Sequence, residues 1–298
     1  MSGETQFFVE LVSNGFLTGL MYSLVAVGFV LIYKSTDAIN FAQGEFCMIA
    51  AIIVASTMTL YGFPLWAAVG ISLIFMLGFN LGLERFVLRP MIGRPVVAII
   101  MATIGLALMF RGLGPLVFGA ETRPINLPIE QAPVIWGPFF MSQIDILGAA
   151  ISVLFLAVFG WFFLKSRKGV AMRAVADSHQ VSMAMGINVE RYFALAWMLA
   201  GLVALLGGIV WGNAIGVDTQ LAQLGLKVFP VVILGGLDSI IGCIVGGLIV
   251  GVCEAIAAGY LDPIVGGGTK DFTPYVLMIL VLMIRPYGMF GKPIIERI

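Results

Sequence analysis

Long apolar runs alternate with short polar segments along the whole chain. A helix that crosses a membrane needs about 20 mostly apolar residues, and nine stretches approach or exceed that length. These stretches are residues 11–33, 39–60, 65–83, 96–117, 144–164, 192–211, 221–235, 240–260 and 275–284 with its flanks. The pattern predicts an all-α integral membrane protein, a polytopic bundle of about eight to ten transmembrane helices.

The weakest of these stretches is 221–235, which is short and carries Lys227 and Pro230. It either crosses the membrane or enters and leaves on one side as a broken helix. Such broken helices are tolerated only where protein or a cavity shields the backbone. The sequence leaves both alternatives open.

Basic residues predict the orientation, because Lys and Arg concentrate in cytoplasmic loops. Bases cluster in 84–95, in 165–191 and in the C-terminal tail, which we place in the cytoplasm. The segment 119–143 has Arg123 as its only base and fits the outside. Pro124, Pro128 and Pro133 within 121–137, with Pro138 just beyond it, predict an irregular loop there. If 221–235 crosses, the N-terminus is outside and the C-terminus inside.

Composition supports the membrane class. The chain is 60% hydrophobic and 11% charged, with a mean hydropathy of +1.07, whereas soluble domains carry about 25% charge. We therefore expect membrane lipid around the bundle. No polar stretch is long enough for a separate soluble domain, which predicts a single transmembrane domain over 1–298. The formal net charge of +0 favours no nucleic-acid partner.

Catalytic signatures are missing from the sequence. It has no G-x-x-x-x-G-K-[ST] phosphate loop and no H-E-x-x-H pair, and His179 is its only histidine. Cys47, Cys243 and Cys253 lie in apolar runs and predict buried hydrophobes rather than ligands. We expect no enzyme, no metal site and no cofactor in this chain.

Asn40, Gln43 and Glu45 place amide and carboxyl groups at the start of an apolar stretch. A carboxylate in hydrocarbon costs several kcal/mol unless it is hydrated or paired. One interpretation is that the three side chains line a translocation path. The other is that Asn40 and Gln43 cap the helix while Glu45 complements its dipole.

A glycine-rich stretch precedes and enters the run 240–260, where Asp238 or Ser239 can cap the helix. G-x-x-x-G spacing lets helices approach closely, so we predict helix packing at Gly235, Gly236, Gly242, Gly246 and Gly247. Tight packing without a transport role is the alternative. Glu254 follows in the same run, and a second acid at depth favours an aqueous path.

The basic segment 166–191 contains Arg173 and Ala174 followed by Gly186, Ile187 and Asn188. We predict a helix over 170–185, ended by Gly186 in left-handed geometry. Asn188 then caps the next helix. The segment is either a docking site for another protein or an ordinary positive loop.

The sequence resembles the permease subunits of ABC transporters for branched-chain amino acids. Residues 39–46 resemble the family motif I-N-F-A-[HQ]-G-E, 173–187 its coupling segment R-A-x-A-x(n)-A-x-x-x-G-I, and 232–247 its signature V-L-G-G-x-[GD]-S-x-x-G-x-x-x-G-G. The tail 285–291 matches a family ending as well. Gln43 and Asp238 depart from the residues frequent there, histidine and glycine.

The resemblance implies a type II, vitamin-B12-importer-like permease fold in the bacterial inner membrane. It implies a heterodimer with a second permease, two cytoplasmic ATPases that bind ATP and Mg, and a periplasmic solute-binding protein. Arg173, Ala174, Gly186 and Ile187 would mark ATPase coupling, and Asn40, Gln43, Glu45 and Glu254 the path. The expected solute is a branched-chain amino acid or a related small organic molecule.

Three other functions compete with this interpretation. An ion-coupled secondary transporter would use Glu45 and Glu254 as proton carriers. An intramembrane enzyme would need a catalytic set at membrane depth, and the sequence offers none that is convincing. An assembly scaffold would need only the packing faces.

Overall fold

The computed structural model describes residues 3–119, 121–125, 127, 132–136 and 139–291, and helices dominate it. The helices are α1 (Gly3–Thr36), α2 (Gln43–Tyr61), α3 (Leu65–Leu83), α4 (Val96–Phe118), α5 (Gln143–Lys165), α6 (Arg167–Asp177), α7 (His179–Ala184), α8 (Val189–Ile215), α9 (Leu224–Gly235), α10 (Ile240–Tyr260), α11 (Asp262–Val265) and α12 (Thr269–Ile284). A π-helical turn (Glu84–Leu88) and a 3-10 turn (Arg89–Met91) extend α3, and a 3-10 turn (Thr219–Gln223) precedes α9.

Seven helical segments of the described chain are long and apolar enough to cross a membrane. They are α1, α2, α3 with its extension to Met91, α4, α5, α8 and α10. The other two predicted stretches form shorter helices, the apolar segment Thr219–Gly235 and the 16-residue α12. The predicted all-α polytopic bundle is confirmed. Crossing by these two shorter segments stays a prediction.

Local sequence signals explain where several helices begin and end. Gly62 ends α2 with φ +68°, and Pro64 begins α3 from extended geometry. Ser239 caps α10 by accepting the Gly242 N–H at 2.9 Å, so the serine is the cap rather than its neighbour Asp238. Helix α2 begins later than predicted because Asn40 Oδ1 accepts the Ala42 N–H at 3.1 Å, which favours a turn over a helix.

The prediction of an irregular external loop is wrong in part. Strands β1 (Pro133–Trp136) and β2 (Phe139–Ser142) form an antiparallel hairpin there. Pro133 is the first residue of a strand in a two-stranded sheet, where a missing N–H removes no interior hydrogen bond. Pro128 and Pro138, which also supported the loop, lie outside the described residues.

The predicted single helix over 170–185 is also wrong, because the chain forms α6 and α7 instead. Ser178 between them is extended, with φ −162° and ψ 114°, and its hydroxyl accepts the Val181 N–H at 3.3 Å. Serine competes in this way with continued helix and favours a new start. Gly186 has φ +78°, and Asn188 caps α8 through the Arg191 N–H at 3.1 Å. Both of those predictions are confirmed.

Contacts divide the chain into two compact units. Unit 1 comprises 1–30, 128–153 and 227–298, and unit 2 comprises 31–127 and 154–226. Within unit 2, α2 is the central helix, contacted by α3, α4 and α8. Within unit 1, α10 packs against α1, α9 and α12. The single permease domain expected for 1–298 stays a prediction.

Candidate functional site

A buried polar cluster lies at the start of α2, in unit 2. Asn40 and Gln43 are both fully buried. Asn40 Nδ2 donates to Gln43 Oε1 at 3.4 Å, and Gln43 Nε2 donates to the Ala200 carbonyl on α8 at 3.3 Å. Ala42, the residue before α2, has no side-chain cap, but Asn40 Oδ1 accepts the Ala42 N–H at 3.1 Å and so satisfies a backbone donor at the start of the helix. The capping alternative therefore describes the local bonds of Asn40, whereas Gln43 joins α2 to α8. A role of either amide in a translocation path stays a prediction.

Helix α4 supports the chain just before this cluster. The Thr103 hydroxyl oxygen accepts the Phe41 N–H at 3.3 Å, and its single hydrogen faces both the Ile100 carbonyl at 2.9 Å and the Ile39 carbonyl at 3.3 Å. Thr103 is the eighth residue of the 23-residue α4, so the non-helical residues before α2 lie beside the interior of a spanning helix. Non-helical backbone at such a depth needs partners from the protein itself, and Thr103 supplies an acceptor for Phe41.

The start of α2 also contacts the start of α9 at the backbone. A Cβ added to Gly44 would lie 2.7 Å from the Gly225 nitrogen, and one added to Gly225 would lie 2.8 Å from the Gly44 nitrogen. A side chain at either position would therefore prevent this approach. Gly44 follows Gln43 directly, so the same contact fixes the position of the polar cluster.

Glu45 is buried and forms an ion pair with Arg111 of α4. Its Oε1 lies 2.6 Å from Arg111 Nη2, and the exposed fractions of the two side chains are 2% and 40%. An opposite charge at hydrogen-bond distance is what makes a buried carboxylate tolerable. Dipole complementation alone therefore does not describe Glu45. Its role in a translocation path stays a prediction.

Sequence reasoning missed Arg111, although a signal was present. An arginine inside a predicted membrane span is rare and marks a functional or paired site, and Arg111 lies within the stretch 96–117. The separation of 66 residues hides its partner from any local pattern.

Glu254 lies in unit 1 and has a different kind of partner. It is 1% exposed, and its Oε2 accepts the Tyr22 hydroxyl at 3.0 Å. Its other oxygen, Oε1, is buried without a hydrogen-bond partner. Glu45 and Glu254 thus belong to different units and bind different groups.

The predicted packing glycines of α9 and α10 contact backbone. A Cβ on Gly235 would lie 2.7 Å from the Cys243 nitrogen, and one on Gly246 would lie 2.6 Å from the Val231 carbonyl oxygen. Gly242 faces the Gly235 carbonyl in the same contact. Gly236, with φ +106°, approaches the Gly291 nitrogen in the tail. Close packing at all four is therefore observed.

A second face of α10 packs on α1. A Cβ on Gly247 would lie 2.7 Å from the Gly19 carbonyl oxygen, and one on Gly251 would lie 2.5 Å from the Gly19 nitrogen. Sequence reasoning missed the α1 side of this contact. Gly15 and Gly19 form G-x-x-x-G, which was the available signal.

The predicted coupling residues all lie in unit 2, and most have intramolecular contacts. Arg173 donates to the Phe163 carbonyl at 2.5 Å and lies over the Phe163 ring at 5.6 Å, so it satisfies the C-terminal end of α5. Ile187 packs on the small core of α6 and α8. Ala174 is half-buried and Gly186 is exposed. No partner chain is needed for the contacts of Arg173 and Ile187.

Beside this segment lies a cavity of about 180 Å³ whose lining includes Asp37, Arg89, Arg94 and His179. Asp37 has a left-handed φ of +53°. Burial raises the pKa of the Asp37 carboxyl, while the nearby His179 acts in the opposite direction. Arg89 forms an ion pair with Glu84, with 2.9 Å between Arg89 Nη2 and Glu84 Oε2.

Metal ligands do not gather anywhere in the described ranges, since no three His, Cys, Asp or Glu side chains lie close enough to hold an ion. The polar chemistry at the predicted path residues consists instead of buried amides, the Glu45–Arg111 ion pair and the Glu254 carboxyl group, which accepts the Tyr22 hydroxyl. Such groups can line or close a path for a polar solute.

Comparison with known proteins identifies the family. The family described as branched-chain amino acid transport system / permease component matches residues 11–283. The permease LivH of Escherichia coli (strain K12), named for high-affinity branched-chain amino acid transport, is 31% identical with 100% of both chains covered. BraD of Pseudomonas aeruginosa is 30% identical with 99% of both covered. PsaBC from Streptococcus pneumoniae, solved in complex with Fab, has the same fold, with TM-score 0.53, 13% identity and 94% of both chains covered.

These matches favour the interpretation as an ABC transporter permease over the interpretation as an ion-coupled secondary transporter. They extend over the whole chain and agree with the motifs at 39–46, 173–187 and 232–247. The chain is a multi-pass membrane protein and belongs to the permease family of branched-chain amino acid ABC transport systems.

Proposed function

We propose that this chain is the permease subunit of an ATP-driven importer that moves a branched-chain amino acid, or a related small organic solute, across the bacterial inner membrane. The observation that carries the proposal is the full-length match to relatives named as branched-chain amino acid permeases. The solute class comes from the names of those relatives.

The energy would come from partners. The sequence has no phosphate loop, so ATP and Mg would be bound and ATP hydrolysed by two cytoplasmic ATPase subunits. A second, homologous permease would complete the passage, and a periplasmic binding protein would deliver the solute. The segment 166–191 would dock on an ATPase, and its two short helices before Gly186 suit that role.

The proposed path would include the predicted polar residues. Asn40, Gln43 and Glu45 are sealed by α4 and α8 in the described conformation. Opening a path along them would require the Glu45–Arg111 pair to separate or to move as one. Glu254 would contribute from unit 1. Alternating access of this kind places polar groups at the middle of the bilayer.

Uptake by a reconstituted complex tests this function. The chain, its neighbouring permease, the ATPases and the binding protein are placed in proteoliposomes, and uptake of radiolabelled leucine is measured with and without internal ATP. We expect uptake that requires ATP and survives a protonophore. Uptake by this chain alone, abolished by the protonophore, would establish a secondary transporter instead.

Coupling is tested at Gly186. Gly186 has a φ of +78°, which proline cannot adopt because its ring fixes φ near about −65°. Gly186→Pro should therefore distort the turn after α7. We expect ATPase activity in the complex to persist while ATP-dependent uptake falls about tenfold or more. Gly93→Pro, at the positive φ of another turn, is the control. Normal coupled uptake in Gly186→Pro would contradict docking at this turn.

A further inference from the structure

Unit 1 contains a polar cavity of about 350 Å³ between α1, the β1–β2 hairpin, α10 and the start of α12. Its charged and amide lining consists of Glu10, Asn14, Asp145, Glu254 and Lys270. Asn14 Nδ2 donates to the Phe140 carbonyl at 3.2 Å, which joins the first turns of α1 to the hairpin. The hairpin belongs to the segment predicted to face the outside, so we expect the cavity to open toward that side.

Two buried acceptors in this lining have no donor. Tyr22 occupies Glu254 Oε2, and Glu254 Oε1 is left without a partner. The Phe140 carbonyl fixes the Asn14 amide with its nitrogen toward the hairpin, and Asn14 Oδ1 is also buried and unpartnered. A buried acceptor without a donor is costly and uncommon. The lining therefore lacks hydrogen-bond donors, not acceptors.

The charges of the lining indicate what kind of donor fits. Glu10 and Asp145 add two carboxyl groups, and Lys270 is the one base among the lining residues. Within the described chain Lys270 has no ion-pair partner within 4 Å, although its charge acts on both Asp145 and Glu254. The acids are not close enough together to hold a metal ion. An ammonium group has three N–H donors and a positive charge, which is what these acceptors lack.

We propose that this cavity binds a zwitterionic α-amino acid, with its ammonium group toward Glu254 Oε1 and Asn14 Oδ1 and its carboxylate toward Lys270. The amino-acid class rests on the proposed function, whereas the ammonium preference rests on the cavity alone. Solute arriving from the outside would meet this site in unit 1. Glu254 is then a ligand of the solute and Tyr22 is its positioning residue.

Ligand chemistry tests the proposal on the unaltered protein. The full-length chain is placed in lipid nanodiscs, and dissociation constants are measured by saturation-transfer NMR for L-leucine, isopentylamine and N-acetyl-L-leucine. We expect L-leucine to bind best, isopentylamine to bind less tightly because it lacks the carboxylate, and N-acetyl-L-leucine to bind about tenfold or more weakly than leucine. Equal binding of all three, or binding of none, would overturn the proposal.

Three variants locate the site. Glu254→Gln should weaken leucine and isopentylamine alike, by about tenfold or more, because the carboxylate charge is lost. Lys270→Gln should weaken leucine but leave isopentylamine unchanged. Glu4→Gln, an exposed acid earlier in α1, is the control and should bind all ligands as the unaltered chain does. Lys270→Gln binding leucine normally would contradict the assigned orientation.

The cavity assignment and the proposed function can fail independently of each other. If the complex imports leucine with ATP while the isolated chain binds the three ligands equally, the cavity assignment is wrong and the importer stands. If the chain prefers the ammonium ligand but the complex never imports an amino acid, the cavity assignment stands and the importer is wrong.

Discussion

Two of the buried carboxylates in the described part of the chain, Glu45 and Glu254, are stabilised in different ways. Glu45 in unit 2 pairs with the guanidinium of Arg111 at 2.6 Å. Glu254 in unit 1 receives a neutral hydroxyl from Tyr22 at 3.0 Å and keeps one oxygen without a partner. The first acid has its charge balanced within the chain, whereas the second does not.

This difference separates an acid whose charge is balanced by a side chain from one whose charge is not. Arg111 balances the charge of Glu45, although the buried Arg111 Nε has no hydrogen-bond partner, and removing either member leaves the other charge unpaired. A buried acid with a free oxygen beside a cavity is poised to receive a donor. The sequence shows only that both acids lie in long apolar stretches. That position alone could not distinguish their two roles.

The largest effect should come from removing the cation at Glu45. Arg111→Leu leaves a carboxylate that is 2% exposed without its partner, and we expect a loss of about 3–5 kcal/mol in the free energy of unfolding. Chemical unfolding of the detergent-solubilised chain measures it. Arg94→Leu removes an exposed arginine and should change stability little. An equal loss in both variants would contradict the pair.

Removing the carboxylate of Glu45 should lower the free energy of unfolding by less than removing Arg111. In Glu45→Ala the orphaned Arg111 is 40% exposed rather than sealed inside the bundle, and its long side chain can turn toward the membrane surface, so we expect a loss of about 1–3 kcal/mol in the free energy of unfolding. The double variant Glu45→Ala with Arg111→Leu should recover part of the stability lost by Arg111→Leu alone. Together with the two single variants it closes a double-mutant cycle, which measures the coupling between the two side chains. Additive losses would show that the two side chains act independently.

The smallest effects should appear in unit 1. Tyr22→Phe removes the donor to Glu254 Oε2 and should cost about 1–2 kcal/mol. Glu254→Gln keeps an oxygen for Tyr22 and should cost under about 1 kcal/mol. Both are measured by the same unfolding experiment. If Glu254→Gln destabilised the chain as much as Arg111→Leu, the contrast between the two acids would disappear.

Much of the fold could be predicted from apolar run length. The predicted limits 65–83 and 240–260 coincide with α3 and α10, because Pro64 and Ser239 mark their starts in the sequence. Gly186 and Asn188 were equally readable, since left-handed turns and caps are decided within a few residues.

The rest depended on contacts distant in sequence. Arg111 joins Glu45 across 66 residues, and Tyr22 joins Glu254 across 232. Thr103 supports residues 39–41 from another helix, so α2 begins later than its apolar run suggested. Ser178 interrupted a helix that composition favours, because one hydroxyl can start a new helix. The sequence identified the polar residues inside the apolar stretches, but it did not identify the side chains to which they bind.

The glycine contacts of α10 have a consequence for movement. On one face its backbone meets α9 at Gly242 and Gly246, and on another it meets α1 at Gly247 and Gly251. At Gly242, Gly246 and Gly251 the nearest atoms of the neighbouring helix are backbone, and at Gly247 the Ser23 side chain also approaches. Such close contacts allow little sliding without a clash. We therefore expect the parts of α1, α9 and α10 that meet here to move together during a conformational cycle.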